Sequence, residues 1–279
     1  MIRNQAGTQE GHGELETKKN ISHPFELDEE WNYHDTVDPN WVAGKGASDN
    51  KWSNFNKIQI DPFSEDRSSA DNYKLLIGAI TPRPIAFVST INSKGNKNLA
   101  PFSYFNVVNS DPPIFVIGFT GNSNFRDTCR NIMETGECTI NIISEWFVEA
   151  ANFCSINSPP DVDEWKLSGL TALPSTKVKP PHVAESAFSI EGKLINSHEW
   201  KSKFDPSKIS GTMCIIEGVN FHVREDLTNK DQNLLNFTKL KPVSRLGGIM
   251  YSRTVEGYEL TRPNYEEEVE KKEVKDILK

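Results

Sequence analysis

The 279-residue chain lacks the signatures by which many enzymes are recognised. It has no Gly-x-Gly-x-x-Gly after a strand, no Gly-Lys-Ser/Thr phosphate loop, no Gly-x-Ser-x-Gly elbow and no His-Glu-x-x-His helix. These absences remove a Rossmann dehydrogenase, a P-loop NTPase, an α/β-hydrolase and a zinc protease from the leading candidates. Cysteine is scarce. Cys129, Cys138, Cys154 and Cys214 form no Cys-x-x-Cys pair, and no histidine stands at metal-ligand spacing from them. Scattered cysteines without a secretory signal point to reduced thiols and a cytoplasmic protein. Cys129, beside Arg130 near an expected helix start, has a setting that lowers a thiol pKa, but a buried packing role is the stronger expectation. No apolar run reaches membrane-spanning length, so no membrane partner is expected. The formal net charge is −8 without a basic stripe, which argues against nucleic acid.

What is present centres on residues 80–111. Residues 85–91 are apolar and β-branched, as in a strand. Residues 92–96 form a turn cluster in which Gly95 is free to take a positive φ. Pro101 lies in the return strand and donates no ladder bond, so that strand is expected at an edge or bulged. A hydroxyl-bearing edge of this kind suits a flat ring.

Helices are expected over residues 69–77, with Tyr73, Leu76 and Ile77 on one face, over 126–135, and over 144–153 with Ser144 as cap. Strands are expected at 114–120 and 138–143. Two later strands follow: one alternates Phe188, Ile190 and Leu194 with Ser189, Glu191 and Lys193, and the next alternates Met213, Ile215, Val219, Phe221 and Val223. Residues 121–125 and 158–181 read as loops, the latter long enough to suggest function. Residues 1–65 form a polar extension whose first twenty residues are expected to be disordered. Trp31, Trp41 and Trp52 suggest that its later part docks on the main domain or on a partner chain; full disorder is weighted equally. Residues 66–262 form the main domain and 263–279 a charged helical tail. Short antiparallel strands with two or three helices suggest a small closed barrel with helices over its openings.

Four motifs carry a family resemblance. They are Ile80-Thr81-Pro82-Arg83-Pro84-Ile85-Ala86-Phe87-Val88-Ser89-Thr90; Asn98-Leu99-Ala100-Pro101-Phe102-Ser103-Tyr104-Phe105-Asn106, running into Ser110-Asp111-Pro112-Pro113; Arg126-Asp127-Thr128-Cys129-Arg130-Asn131-Ile132 with Gly136-Glu137; and Asp163-Glu164-Trp165 with Ser168-Gly169-Leu170-Thr171. In this order, over residues 75–260, the chain resembles the flavin reductase-like family, flavoredoxins included. The resemblance implies a mainly β fold, an antiparallel Greek-key split β-barrel with a few flanking helices. It also implies FMN as cofactor (FAD as the alternative), NAD(P)H as electron donor and a homodimer.

The residue types suit a flavin. Its phosphate is a dianion, and Arg126 and Thr128 stand at an expected helix start, where free N–H groups and a positive dipole end favour anions. Asp127 is expected to cap backbone amides. An ordinary capped helix explains Asp127 and Thr128 equally well; the position of Arg126 favours the phosphate. The resemblance assigns the ring edge to Ser89, Thr90, Ala100, Pro101, Ser103 and Ser110, counts Asn98 among the cofactor-binding residues, and places Arg245 and Tyr251, around Gly247-Gly248, near the flavin. Arg83 either reaches the phosphate or pairs with an acid such as Glu191. Phe102 and Phe105 read as core. The implied activity is NAD(P)H-dependent flavin reduction, with no side chain needed as general acid or base. A flavin-binding or carrier module without reductase activity is the alternative, and a scaffold barrel binding neither is a third reading.

Overall fold

The computed structural model describes residues 25–26, 30–121, 126–160 and 162–279. The expected disorder of the first twenty residues, and most of the expected loop at 121–125, lie outside them. Seven strands form one antiparallel sheet: β1 Ala86–Ile91, β2 Lys97–Phe102, β3 Phe105–Ser110, β4 Pro113–Thr120, β5 Glu137–Ile142, β6 Phe188–Lys201 and β7 Ile209–Val223, in the order β2-β1-β5-β6-β7-β4-β3. The hairpin from β1 to β2 turns where expected, and Gly95 takes φ +86°. β2 lies at the edge of the sheet. Leu99 directs its N–H away from β1, to the Glu164 side chain at 3.4 Å. Pro101, two residues on, has its nitrogen on the same outward side, so its missing donor costs no ladder bond.

The sheet curls around one core. Ala86 and Val88 of β1 pack with Ile117 and Phe119 of β4, Ile140 of β5 and Ile216 of β7, and Cys129 and Ile132 of helix α2 (Asp127–Thr135) close the top. α1 is the helix Ser69–Ala79. The expected closed barrel is corrected to an open sheet: no ladder joins β2 to β3. Ser103 and Tyr104 splay these consecutive strands, β3 pairs with β4, and the outward edge of β2 is bonded by a side chain instead of a strand. Across the opening, the Phe102 ring of β2 meets the Phe119 ring of β4 edge to face at 4.7 Å. Phe102 and Phe105 pack against the core as expected.

A second core covers the other face of β1 and β2. Phe87 and Leu99 meet Ile143, Phe147, Ala151, Trp165 and Val183. This layer is built by α3 (Val148–Phe153), α4 (Glu164–Ser168) and the chain that follows. The helix expected over 144–153 starts instead with a 3₁₀ turn at Glu145–Phe147, and Ser144 is buried without capping it. The expected loop at 158–181 contains α4, capped by the Asp163 carboxylate accepting from the Trp165 N–H.

Two alternation patterns are corrected. In β6 both faces are covered over its first half, so Ser189 and Glu191 are buried along with Ile190. The cover is the chain before β6: Thr139 donates to the Pro181 carbonyl at 2.9 Å, and Asn141 Oδ1 accepts from the Val183 N–H and the Ser189 hydroxyl. In β7 the period is right but the phase is reversed; Thr212, Cys214, Ile216 and Gly218 are the buried set.

The extension is divided. Trp31 docks on the main domain, its ring 4.4 Å from Phe237, and lies so close to Gly257 that a Cβ there would meet the indole at 2.7 Å. The short pairing of Asn32–Tyr33 with Glu256–Gly257 holds it. Trp41 donates locally to the Gly46 carbonyl, and Trp52 is exposed. The tail contains helices at Tyr265–Glu268 and Lys272–Ile277. Among the described residues no helix is long and apolar enough to cross a membrane, and no group of His, Cys, Asp and Glu is placed to hold a metal.

Candidate functional site

α2 follows β4 in the chain. Arg126 is its N-cap residue in extended backbone (φ −118°, ψ 110°) and its side chain does not cap. The residue is exposed, and its guanidinium has no partner among the described residues. Asp127 pairs with Arg130 one turn on, which corrects its expected capping role, and among the described residues the first N–H groups of α2 have no side-chain cap. Thr128 is buried, and its hydroxyl accepts from the Asn98 amide at 2.7 Å. That bond fixes the helix start against β2 and leaves the Thr128 proton free to donate.

From this point a cleft of about 450 Å³ runs along β2 to Tyr104. Asn98, Ala100, Pro101, Ser103, Arg126 and Thr128 all line it, so the structure brings half of the twelve expected residues together. At its far end the backbone N–H groups of Ser103 and Tyr104 make no hydrogen bond among the described residues. Burial pushes the Tyr104 phenol pKa up, the Tyr73 phenol adds to this and Arg83 opposes it, so Tyr104 stays protonated and a donor at neutral pH.

The other six stand elsewhere. Arg83 is buried behind the cleft; its guanidinium donates to the carbonyls of Ile77, Ile80 and Leu246 and, at 3.4 Å, to the hydroxyl of the cleft residue Ser103, and Glu191 is not among its partners. Ser89 and Thr90 are buried in β1, where Thr90 accepts from Asn131 at 3.0 Å and the Ser89 hydroxyl has no partner among the described residues. Ser110 is exposed at the turn from β3 to β4, away from the cleft. Arg245 and Tyr251 form a hairpin behind the site. Arg245 lies over the Tyr251 ring at 4.4 Å and donates to the Gly248 carbonyl. The hairpin buttresses the cleft: Arg245 and Arg83 exchange backbone hydrogen bonds, and the Tyr251 hydroxyl donates to Asn152 in α3.

Sequence reasoning missed the opposite wall. Cys154, Ser155, Ile156, Asn157 and Ser158, after α3, face β2 across the cleft, with Glu164 behind Ser158. Burial pushes the Cys154 thiol up to about 11, so it is not a thiolate there. The motif around Glu164 was visible; the buried carboxylate was not, because only the fold lays α4 against β2. Tyr73 and Tyr104 were missed for a similar reason: one was read only as sharing a helix face with Leu76 and Ile77, and the other lies in the short splay between strands.

A family model described as "Flavin reductase like domain" matches residues 78–243. An uncharacterised protein of Halalkalibacterium halodurans is 38% identical over 208 residues, covering 74% of this chain and 97% of that one. Among solved structures, nitrilotriacetate monooxygenase component B from Bacillus cereus superposes with a TM-score of 0.68 at 35% identity, over 74% of this chain and all of that one. The 2-nitrobenzoate 2-nitroreductase NbaA of Pseudomonas fluorescens gives 0.65 at 30% identity, over 75% and 98%.

Proposed function

The chain belongs to the flavin reductase-like family, and from that premise we propose that it binds FMN in the cleft along β2 and works as an NAD(P)H-dependent flavin reductase. One observation carries the reading: a cation without a partner among the described residues, and a helix start without a side-chain cap among them, stand at Arg126 and Thr128 and open onto a strand edge whose Ser103 and Tyr104 N–H groups have no partner among the described residues. The donor set fits the group. Arg126 and the α2 amides are suited to a phosphate dianion. The Ser103 and Tyr104 N–H groups are suited to the electron-rich edge of the ring, where fixed donors favour added negative charge. The flavin, when bound, supplies two-electron redox chemistry with the nicotinamide nucleotide. The chain's residues bind, orient and exclude water; none is needed to move a proton. Protein purified with FMN is expected to be yellow and to oxidise NAD(P)H. Colourless protein with no turnover refutes the reading, and tight FMN binding without oxidation above the free-flavin rate selects the carrier alternative.

The same reading makes the molecule a homodimer. α1 buries only Ile77 and exposes Leu75 and Leu76, which with Ile80 just after the helix stand beside Ile249 and Met250. The two segments are contiguous, since a Cβ on Gly247 would meet Gly78 Cα at 3.3 Å. Tyr73, on the same helix, lines the cleft, so a partner covering this apolar patch would border the flavin. Light scattering at micromolar concentration is expected to give the dimer mass, and Leu76→Glu to lower it; a wild-type monomer contradicts the assignment.

A further inference from the structure

Glu164 is a buried carboxylate, 5% exposed, in the wall of the cleft along β2. It has no cationic partner among the described residues. Oε1 accepts from the Ser158 hydroxyl at 2.6 Å, and Oε2 accepts a long bond from the Leu99 N–H at 3.4 Å. A carboxylate has room for about four donors. A buried, unpaired and half-satisfied charge is costly, so further donors are called for, and the cleft is where they can come from.

Position along β2 says what those donors are. Asn98 holds Thr128 and so marks the phosphate end. Leu99, the next residue, meets Glu164. Ala100 to Tyr104 continue to the ring end. Glu164 therefore stands between phosphate and ring, the place of the flavin's hydroxylated chain. We infer that Glu164 is the polyol-binding residue of the cleft, accepting hydrogen bonds from ribityl hydroxyls. The inference rests on the flavin reading and deepens it. A carboxylate near a phosphate site would otherwise oppose anion binding; accepting from neutral hydroxyls gives it a favourable role and sets a preference for polyol-bearing ligands over simple phosphates.

Three ligands separate the parts: lumiflavin is the ring alone, riboflavin adds the polyol and FMN adds the phosphate. Each is titrated by fluorescence quenching against wild type, Glu164→Ala and Glu164→Gln. Glu164→Ala is expected to weaken riboflavin and FMN by about tenfold or more, the scale of hydrogen bonds to a charged group, and to leave lumiflavin unchanged. Glu164→Gln keeps the size and one acceptor and is expected to show the same pattern at smaller amplitude; it serves alone if the alanine variant does not fold. Equal losses for all three ligands would show that Glu164 only holds the wall, and no loss for any would show that it faces nothing; either overturns the inference while leaving the flavin reading intact. A wild type that binds none of the three overturns both.

Discussion

Arg126→Ala is expected to weaken FMN binding by about 10- to 100-fold and to leave riboflavin binding unchanged. The residue is exposed and its guanidinium has no partner among the described residues, so its removal should cost little stability. A charge-assisted bond to a phosphate is worth about 1.5–3 kcal/mol. The helix dipole alone supplies about 0.3–1 kcal/mol, so the side chain and not the helix start dominates. Exposure places the effect toward the lower end and makes it salt-dependent, since the Debye length is about 8 Å at physiological ionic strength. Arg126→Lys keeps the charge without the bidentate fork and should fall between. Titrations of FMN and riboflavin at low and high salt check this. Equal FMN affinity in Arg126→Ala and wild type would place the phosphate elsewhere.

What the sequence could show follows from the range of each interaction. The β1–β2 hairpin was legible because its turn chemistry, Gly95 and the edge proline are local. The phosphate end was legible for the same reason: Arg126 and Thr128 are two residues apart on one helix start. Arg83 was not, because its guanidinium is claimed by carbonyls on α1 and, from far along the chain, by Leu246. The reversed phase of β7 was hidden because Met213, Ile215 and Phe221 look more apolar than the buried Thr212 and Gly218. Gly218 faces inward because Phe115, Ile190 and Phe221 already fill that space. The wall opposite β2 needed α4, whose partner Leu99 is some sixty-five residues upstream. Local patterns name elements; which face is covered depends on chain that periodicity cannot see.

Glu191→Ala is expected to produce the largest loss of stability, about 3–5 kcal/mol, the range for emptying one side of a buried charged cluster. Its side chain is fully buried. Oε1 accepts from the Thr176 N–H and hydroxyl, from Asn220 and from His222 at 2.6 Å; Oε2 accepts from the Lys177 and Val178 N–H groups. One carboxylate thus fastens residues 176–178 across the outer face of β6 and β7. Without it, three backbone donors need new partners, and the cover over Ser189 and Thr139 loosens. At about 2–4 °C per kcal/mol for a domain of this size, the melting midpoint should fall by roughly 10 °C. An exposed pair such as Lys208–Asp205 is the control: Lys208→Ala should leave the melting midpoint nearly unchanged, because water screens the pair. The cluster also sets a pH dependence. Desolvation raises the Glu191 pKa, but the backbone and side-chain donors outweigh it, so the folded-state pKa lies well below the ordinary 4.5. That stability is present above about pH 4.5 and is lost as pH falls through the folded-state value. His182, stacked on His222 at 4.0 Å, has its pKa held below 6.5 by desolvation and by His222, against the pull of Glu191. Its neutral form is favoured by folding, so stability also declines as pH drops below 6.5. Urea denaturation of wild type should therefore weaken in two steps on acidification. In Glu191→Ala only the step from His182 should remain. A second step of equal size in the variant would assign the acid loss to another carboxylate.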